Sequence, residues 1–404
     1  MRIVSGMRSR LPWSSRRERA RQRAIVQHAT WTQLPSIPGA IEPDVSPRDD
    51  DVAIAARLLA AHRAARDSSP AATASTDVWT LIAAQQSGFA SVLERGSDAE
   101  LAAYLCNVSR RDASIGITQG DREYERISRD SDYREFLSLM IKDKLVSLAE
   151  AVGCVPLENP EQGVYGQSLQ RDLNEIVHGI SSQLGIDVRP PDIDGGLFKV
   201  RTDHGSFGER DANAIFTATL LKQLATQREI ASVCEIGGGS GRAAYWSLRL
   251  GLGSYAIVDL PHVNVVQGYY LMKSLPEGSV CLYGEQPGRD TKVTIWPNHA
   301  IGELSDSSFD LVVNQDSMPE MSRETVQEYL RWIRSVATDS FLSINHESKP
   351  EYGDGLAHVS VPEAIAEVGG FTREERWPYW LRKGYVVERY GVGERAASTS
   401  SMSR

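Results

Sequence analysis

The stretch that most limits the architecture of this chain is Val233-Cys234-Glu235-Ile236-Gly237-Gly238-Gly239-Ser240-Gly241-Arg242. Ser232 to Ile236 is largely apolar, Glu235 excepted, which suits a central parallel strand. Gly237, Gly239 and Gly241 open backbone angles closed to other residues and let a ligand approach the main chain. Ala243, Ala244, Tyr245, Trp246, Leu248 and Leu250 then read as a helix whose first N–H groups point into a crevice. Tyr255-Ala256-Ile257-Val258-Asp259 follows as a second strand that ends in an acid. An acidic residue about 20 positions past a glycine turn is placed to accept hydrogen bonds from two ribose hydroxyls. The pattern is that of a nucleoside-binding βαβ unit.

Strand and helix patterns alternate from about residue 230 onward. Ser279–Tyr283, Thr291–Trp296, Phe309–Val313, Phe341–Ile344 and Tyr385–Tyr390 read as strands, with helices between several of them. Such alternation predicts an α/β fold with a doubly wound, Rossmann-like parallel sheet. Ligands of these sheets sit beyond the carboxyl ends of the strands. Three strand ends are therefore expected to line one crevice: Glu235–Gly241, Asn314–Glu320 and Asn345–Glu347.

Upstream, apolar residues recur at helical spacing in Asp51–Arg66, Asp98–Val108, Tyr124–Val152 and Leu169–Leu184, and Thr76-Asp77 could cap a helix running to Gln86. Residues 51–190 thus read as an all-α N-terminal region, a wall, lid or dimer surface for a domain spanning 191–393. Pro190-Pro191 and Gly195-Gly196 mark the boundary, and Phe198–Gly208 reads as a loop near the site. Residues 1–50 read as a disordered basic leader and a proline-rich linker, and 394–404 as a disordered serine-rich tail.

Composition narrows the function classes. A formal net charge of −9 argues against a general nucleic-acid binder. No apolar run approaches the roughly 18 residues needed to cross a bilayer. The four cysteines are scattered without C-x-x-C pairing, which suits a reducing, cytoplasmic compartment. Eight arginines between Arg2 and Arg23 lack the apolar segment of a signal peptide.

The spacing of Gly237, Gly239 and Gly241 departs from the dinucleotide G-x-G-x-x-G. Glu235-x-Gly-Gly-Gly-x-Gly, followed by a strand ending in Asp259, resembles motif I of class I S-adenosylmethionine-dependent methyltransferases. Val258-Asp259-Leu260-Pro261, Phe309–Met321 and Ser343–Glu347 extend the likeness to a sugar O-methyltransferase family, over roughly Gly195 to Val392. Met318 stands where that family would be expected to carry an aromatic residue. The resemblance implies S-adenosylmethionine as cofactor, held by Glu235, Gly237, Gly238, Gly239, Gly241, Asp259, Leu260 and Asn314. It implies a small-molecule or glycan acceptor contacted by Ser317, Glu320, Asn345 and Glu347.

Methyl transfer from a sulfonium needs the acceptor oxygen in line, and a base near a sugar hydroxyl helps by roughly 10²–10⁴-fold. His346, His204 and Asp316 are the candidates for that catalytic work. Carboxylates beside a histidine could hold a divalent metal, but no compact ligand spacing supports one. A non-sugar acceptor, or a cofactor-binding partner subunit without turnover, would carry the same glycine turn. Self-association through the N-terminal helices is a further expectation.

Overall fold

In the computed structural model the described residues are 12–29, 34–70, 77–193, 195–304, 309–350 and 357–393. The first eleven residues of the leader and the tail from 394 lie outside them. A small sheet comes first in the chain. Strand β1 (Gly39–Ile41) pairs antiparallel with β2 (Phe198–Thr202), which pairs antiparallel with β3 (Gly205–Phe207).

The large sheet contains β4 (Ser232–Ile236), β5 (Ser254–Asp259), β6 (Val280–Leu282), β7 (Val293–Pro297), β8 (Phe309–Gln315), β9 (Ala337–His346), β10 (Phe371–Pro378) and β11 (Tyr385–Val392). Their spatial order is β10-β11-β9-β8-β4-β5-β7-β6. Strands β6, β7, β5, β4, β8 and β9 run parallel, and β11 is antiparallel to both its neighbours. The chain leaves β4 for β5 on one side and later returns to β8 on the other. Ile236 pairs with Val258 in one direction and with Asn314 in the other. That reversal beside β4 opens a crevice at the carboxyl ends of the strands.

Both faces of the sheet are covered, which is why its central strands read as continuous apolar runs. Val233, Leu311, Val313, Leu342 and Ile344 feed a large core shared with helices Asp211–Arg228, Arg242–Arg249 and Pro261–Ser274. The alternate residues Cys234, Ile236, Val258, Val312 and Phe341 face a second core closed by helices Arg323–Val336 and Val361–Val368. The large core runs without a break from Leu58, Leu145 and Ile180 of the N-terminal helices to Ile257 in β5. The N-terminal region is therefore packed onto the sheet domain through shared apolar surface.

Several expectations need correcting. The basic leader is helical over Pro12–Ile25, and the proline-rich linker contains β1. After that helix, Gln27 and His28 donate their backbone N–H groups to the Asp143 carboxylate, at 2.9 and 2.8 Å. Phe198–Gly208 is mostly hairpin, with Phe198, Lys199, Val200 and Phe207 buried and Arg201 and Asp203 exposed. The helix expected over Tyr124–Val152 is split into Asp121–Arg129 and Ser131–Ala151, with Asp130 capping the second by accepting from the Tyr133 N–H. Asp77 caps a helix of only Val78–Ala83, and a second helix spans Ser87–Arg95. Strand β10 was not expected at all. It is an exposed edge strand carrying Arg373, Glu374, Glu375 and Arg376, a charge pattern that guards an edge and hides the strand from a hydrophobicity reading.

Candidate active site

A cavity of about 790 Å³ opens at the switch point, a size suited to a small-molecule ligand. One part of its lining is made by the turn after β4 and the end of β5. Glu235, Gly237, Gly238, Gly239, Ser240, Asp259, Leu260 and His262 line it. Gly237 has φ +72°, and a Cβ there would stand 2.0 Å from Ser317 Oγ, so neither a side chain nor an ordinary backbone angle fits. Gly239, at φ +56°, faces open space instead. The turn thus leaves bare main chain facing the cavity.

The acids at this end are buried. Asp259 Oδ1 accepts from the Leu260 N–H at 2.8 Å, and Oδ2 accepts from Gln267 Nε2 at 2.6 Å. Burial pushes Asp259 up to about 7 despite those bonds and others from Gly238 and Gly239. Burial, with the Asp259 charge close by, pushes Glu235 up to about 7 as well, although Tyr255 Oη donates to it at 3.0 Å. Two carboxylates that are costly to ionise when alone are an electrostatic invitation to a cation. His262, not singled out from sequence, is pulled down to about 4 by burial, and its Nε2 has no hydrogen-bond partner among the described residues.

The other end of the cavity is bounded by Trp79, Thr80, Ala83, Gly116 and Ile117 of the N-terminal region, facing Gln315–Ser317, Glu320, Met321 and Arg382. The helical region is thus a wall of the crevice. Burial, reinforced by the Asp316 charge, pushes Glu320 up to about 7, with the Trp79 indole as a hydrogen-bonding neighbour. Asp316 lies just beyond β8 at φ +66°, unusual for a residue with a side chain. Its carboxylate accepts from Arg382 and from Tyr385 Oη, and Arg382 also stacks 3.9 Å over the Tyr385 ring.

Two asparagines expected to touch ligands instead lie beneath the cavity floor. Asn314 Nδ2 donates to the Ile236 carbonyl at 2.9 Å and to Ser317 Oγ at 2.6 Å. Asn345 Nδ2 donates to Asn314 Oδ1 at 3.0 Å and to Ser343 Oγ at 2.9 Å, and its Oδ1 accepts from the Asp316 N–H at 2.9 Å. These side chains stitch the ends of β4, β8 and β9 together and hold Asp316 in its left-handed conformation.

Neither histidine singled out from sequence lines the cavity. His346 ends β9, with its ring against Tyr385 and its Nε2 3.0 Å from His358 Nδ1. His204 sits on the β2–β3 turn, beside His178 and 3.7 Å from Asp187. Glu347 is exposed and paired with Arg376 at 2.7 Å. The side-chain alternation of β9 explains the outcome, because one residue of offset turns His346 away from the edge where Asn345 points. Gly241 caps the helix Arg242–Arg249 behind the lining rather than in it, at φ +81°. Arg210, Asn213, Arg382, Trp79 and Tyr329 line the cavity unannounced, coming from segments with no motif. Among the described residues, no group of three or more His, Cys, Asp or Glu side chains is arranged to hold a metal ion. No helix there is long and apolar enough to cross a membrane.

No family model matches this chain, and no curated protein does. Solved structures match part of this chain at low identity. The magnesium protoporphyrin IX methyltransferase of Synechocystis PCC 6803, crystallised with bound SAM, is 14% identical, with a TM-score of 0.32 over 46% of this chain and 81% of its own. A glycopeptide N-methyltransferase complexed with S-adenosylhomocysteine is 16% identical, with a TM-score of 0.33 over 43% of this chain and 89% of its own. An O-methyltransferase from Bacillus cereus is 10% identical, with a TM-score of 0.31 over 45% and 80% respectively. At that level of likeness, function has to be read from the site itself.

Proposed function

We propose that this chain is an S-adenosylmethionine-dependent methyltransferase acting on a sugar hydroxyl of a glycosylated natural product or glycan. The observation that carries the reading is the pair of buried carboxylates, Glu235 and Asp259, bracketing a bare glycine turn. Such a setting repels a pyrophosphate and favours a ligand with a ribose and positive charge. Asp259 would accept from the ribose hydroxyls, Glu235 and the turn would hold the amino-acid end, and Leu260 with His262 would flank the base. When bound, the cofactor supplies a methyl group on a sulfonium.

The chain's own part is to position and deprotonate the acceptor. Glu320 is the base in this reading, since it lines the cavity and has a proton affinity near neutrality. It would take the acceptor's hydroxyl proton onto a carboxylate oxygen. Asp316, fixed by Arg382 and Tyr385, and Ser317 would orient neighbouring hydroxyls, and the Trp79 wall would exclude water. The polar rim and the resemblance over Phe309–Met321 and Ser343–Glu347 support a sugar as acceptor.

The test is transfer from methyl-labelled cofactor to a panel of glycosides, phenols and amines. Label that leaves with the sugar after acid hydrolysis supports the proposal. Label retained on an aglycone supports a non-sugar acceptor, and cofactor binding without turnover on any acceptor supports a non-catalytic subunit.

A further inference from the structure

Arg210 and Asn213 are one helical turn apart at the start of helix Asp211–Arg228, and both line the acceptor end of the cavity. Residues at this spacing share a face. Asn213 is 6% exposed, and its Oδ1 has no hydrogen-bond partner among the described residues. The buried Arg210 Nε has none either. Leaving such groups unmade costs free energy that a ligand's polar atoms would recover.

Of the acids around Arg210, Glu320 acts on it only through space and has the Trp79 indole as its hydrogen-bonding neighbour, and the others are engaged elsewhere. Glu209 is held by Lys144 Nζ at 2.7 Å, Asp316 by Arg382 and Tyr385, and Glu123 accepts from Tyr133 Oη at 2.8 Å. Glu209 and Asp316 attract Arg210 through space, yet neither gives it a hydrogen bond. Arg382, by contrast, is committed to Asp316. Among the described residues that line the crevice, Arg242 is paired with Asp211 and Arg382 with Asp316, while the Arg210 Nε has no partner and the positive end of an 18-residue helix lies beside it. A planar guanidinium in such a place matches a carboxylate or phosphate.

We infer that the acceptor carries an anionic group, a carboxylate or a phosphate, which Arg210 grips while Asn213 Oδ1 accepts from an adjacent hydroxyl. The inference rests on the proposed reading of this cavity end as the acceptor site, and it narrows the acceptor to acidic hydroxyl compounds. Neutral glycosides with the same hydroxyls would bind without that grip.

The experiment is a calorimetric titration of the full chain, alone and with saturating S-adenosylhomocysteine, using matched probes. These are glucose, glucuronate and glucose 6-phosphate, together with phenol and 3-hydroxybenzoate. At least one anionic probe should bind about tenfold more tightly than its neutral match, a difference of about 1.4 kcal/mol. The sugar arms separate carboxylate from phosphate, and the aromatic pair keeps the test independent of the sugar assignment. Arg210→Met should abolish the preference. Asn213→Asp, which sets a carboxylate beside Arg210, should abolish it too, and serves if the first variant does not fold. Equal affinity for anionic and neutral probes, or a preference that survives either folded variant, overturns the inference. Anion preference without S-adenosylhomocysteine binding would overturn the cofactor reading alone. Cofactor binding without anion preference would overturn only this inference.

Discussion

Asn345 offers a test of how the crevice floor is built, because it supports the site without touching the cavity. Replacing it with alanine removes two donated hydrogen bonds, to Asn314 and Ser343, and one accepted from the Asp316 N–H. The side chain is buried, so water does not replace these bonds. Each is worth about 1 kcal/mol net. Asn314 Oδ1 would be left with only a long contact, 3.4 Å from the Met318 N–H. The Asp316 N–H keeps its 3.1 Å bond to the Ile344 carbonyl, so the turn weakens rather than disappears. The expected loss for Asn345→Ala is roughly 2–4 kcal/mol, read from urea unfolding at pH 7 with an unchanged m value. Glu347→Ala, two residues on in an exposed ion pair, should cost roughly 0–1 kcal/mol. If Asn345→Ala lies within about 0.5 kcal/mol of the parent, the latch contributes nothing and the account of the left-handed Asp316 is wrong.

Three further outcomes are expected. Glu320 sits near 7, so methyl transfer should rise about tenfold per pH unit below that value and level off above it; Glu320→Gln should lose roughly 10²–10⁴-fold and flatten the profile, with S-adenosylhomocysteine affinity kept. His28 is buried between Asp143 at 3.0 Å and Glu150 at 2.7 Å; burial pulls its pKa down, but the two carboxylates outweigh that and raise it to about 9. Because the folded value lies above the unfolded one near 6.5, this stabilisation is fully present below that pH and is lost as pH rises through about 9, and His28→Leu should remove that alkaline slope from the unfolding profile. Gly237→Ala should weaken cofactor binding and stability together, since its Cβ would collide with the Ser317 side chain at a backbone angle alanine resists.

The sheet domain was legible because its strands are buried on both faces and carry unbroken apolar runs. The glycine turn was legible because its left-handed backbone angles demand glycine at that spacing, and Asp259 because it ends the strand beside that turn. Strand β10 was invisible for the opposite reason, its outward charges leaving no apolar signal. Asn314 and Asn345 were read as ligand contacts because they end strands; nothing in a linear sequence distinguishes a polar side chain that points into a crevice from one that bonds its neighbours below it. His346 and His204 were favoured by chemical type, yet His346 is one residue out of phase with the cavity and His204 rides on a hairpin turn away from it. Arg210, Asn213 and Trp79 could be found only in three dimensions, since the helix before β4 and the wall from the N-terminal region reach the site through packing.

The most direct test of the central claim is calorimetric titration of the purified chain with S-adenosylhomocysteine and, separately, with NAD, beside an Asp259→Ala variant. The account expects micromolar binding of S-adenosylhomocysteine that the variant loses, and no response to NAD. Tight NAD binding with silence toward S-adenosylhomocysteine would contradict it and turn the glycine crevice into a dinucleotide site.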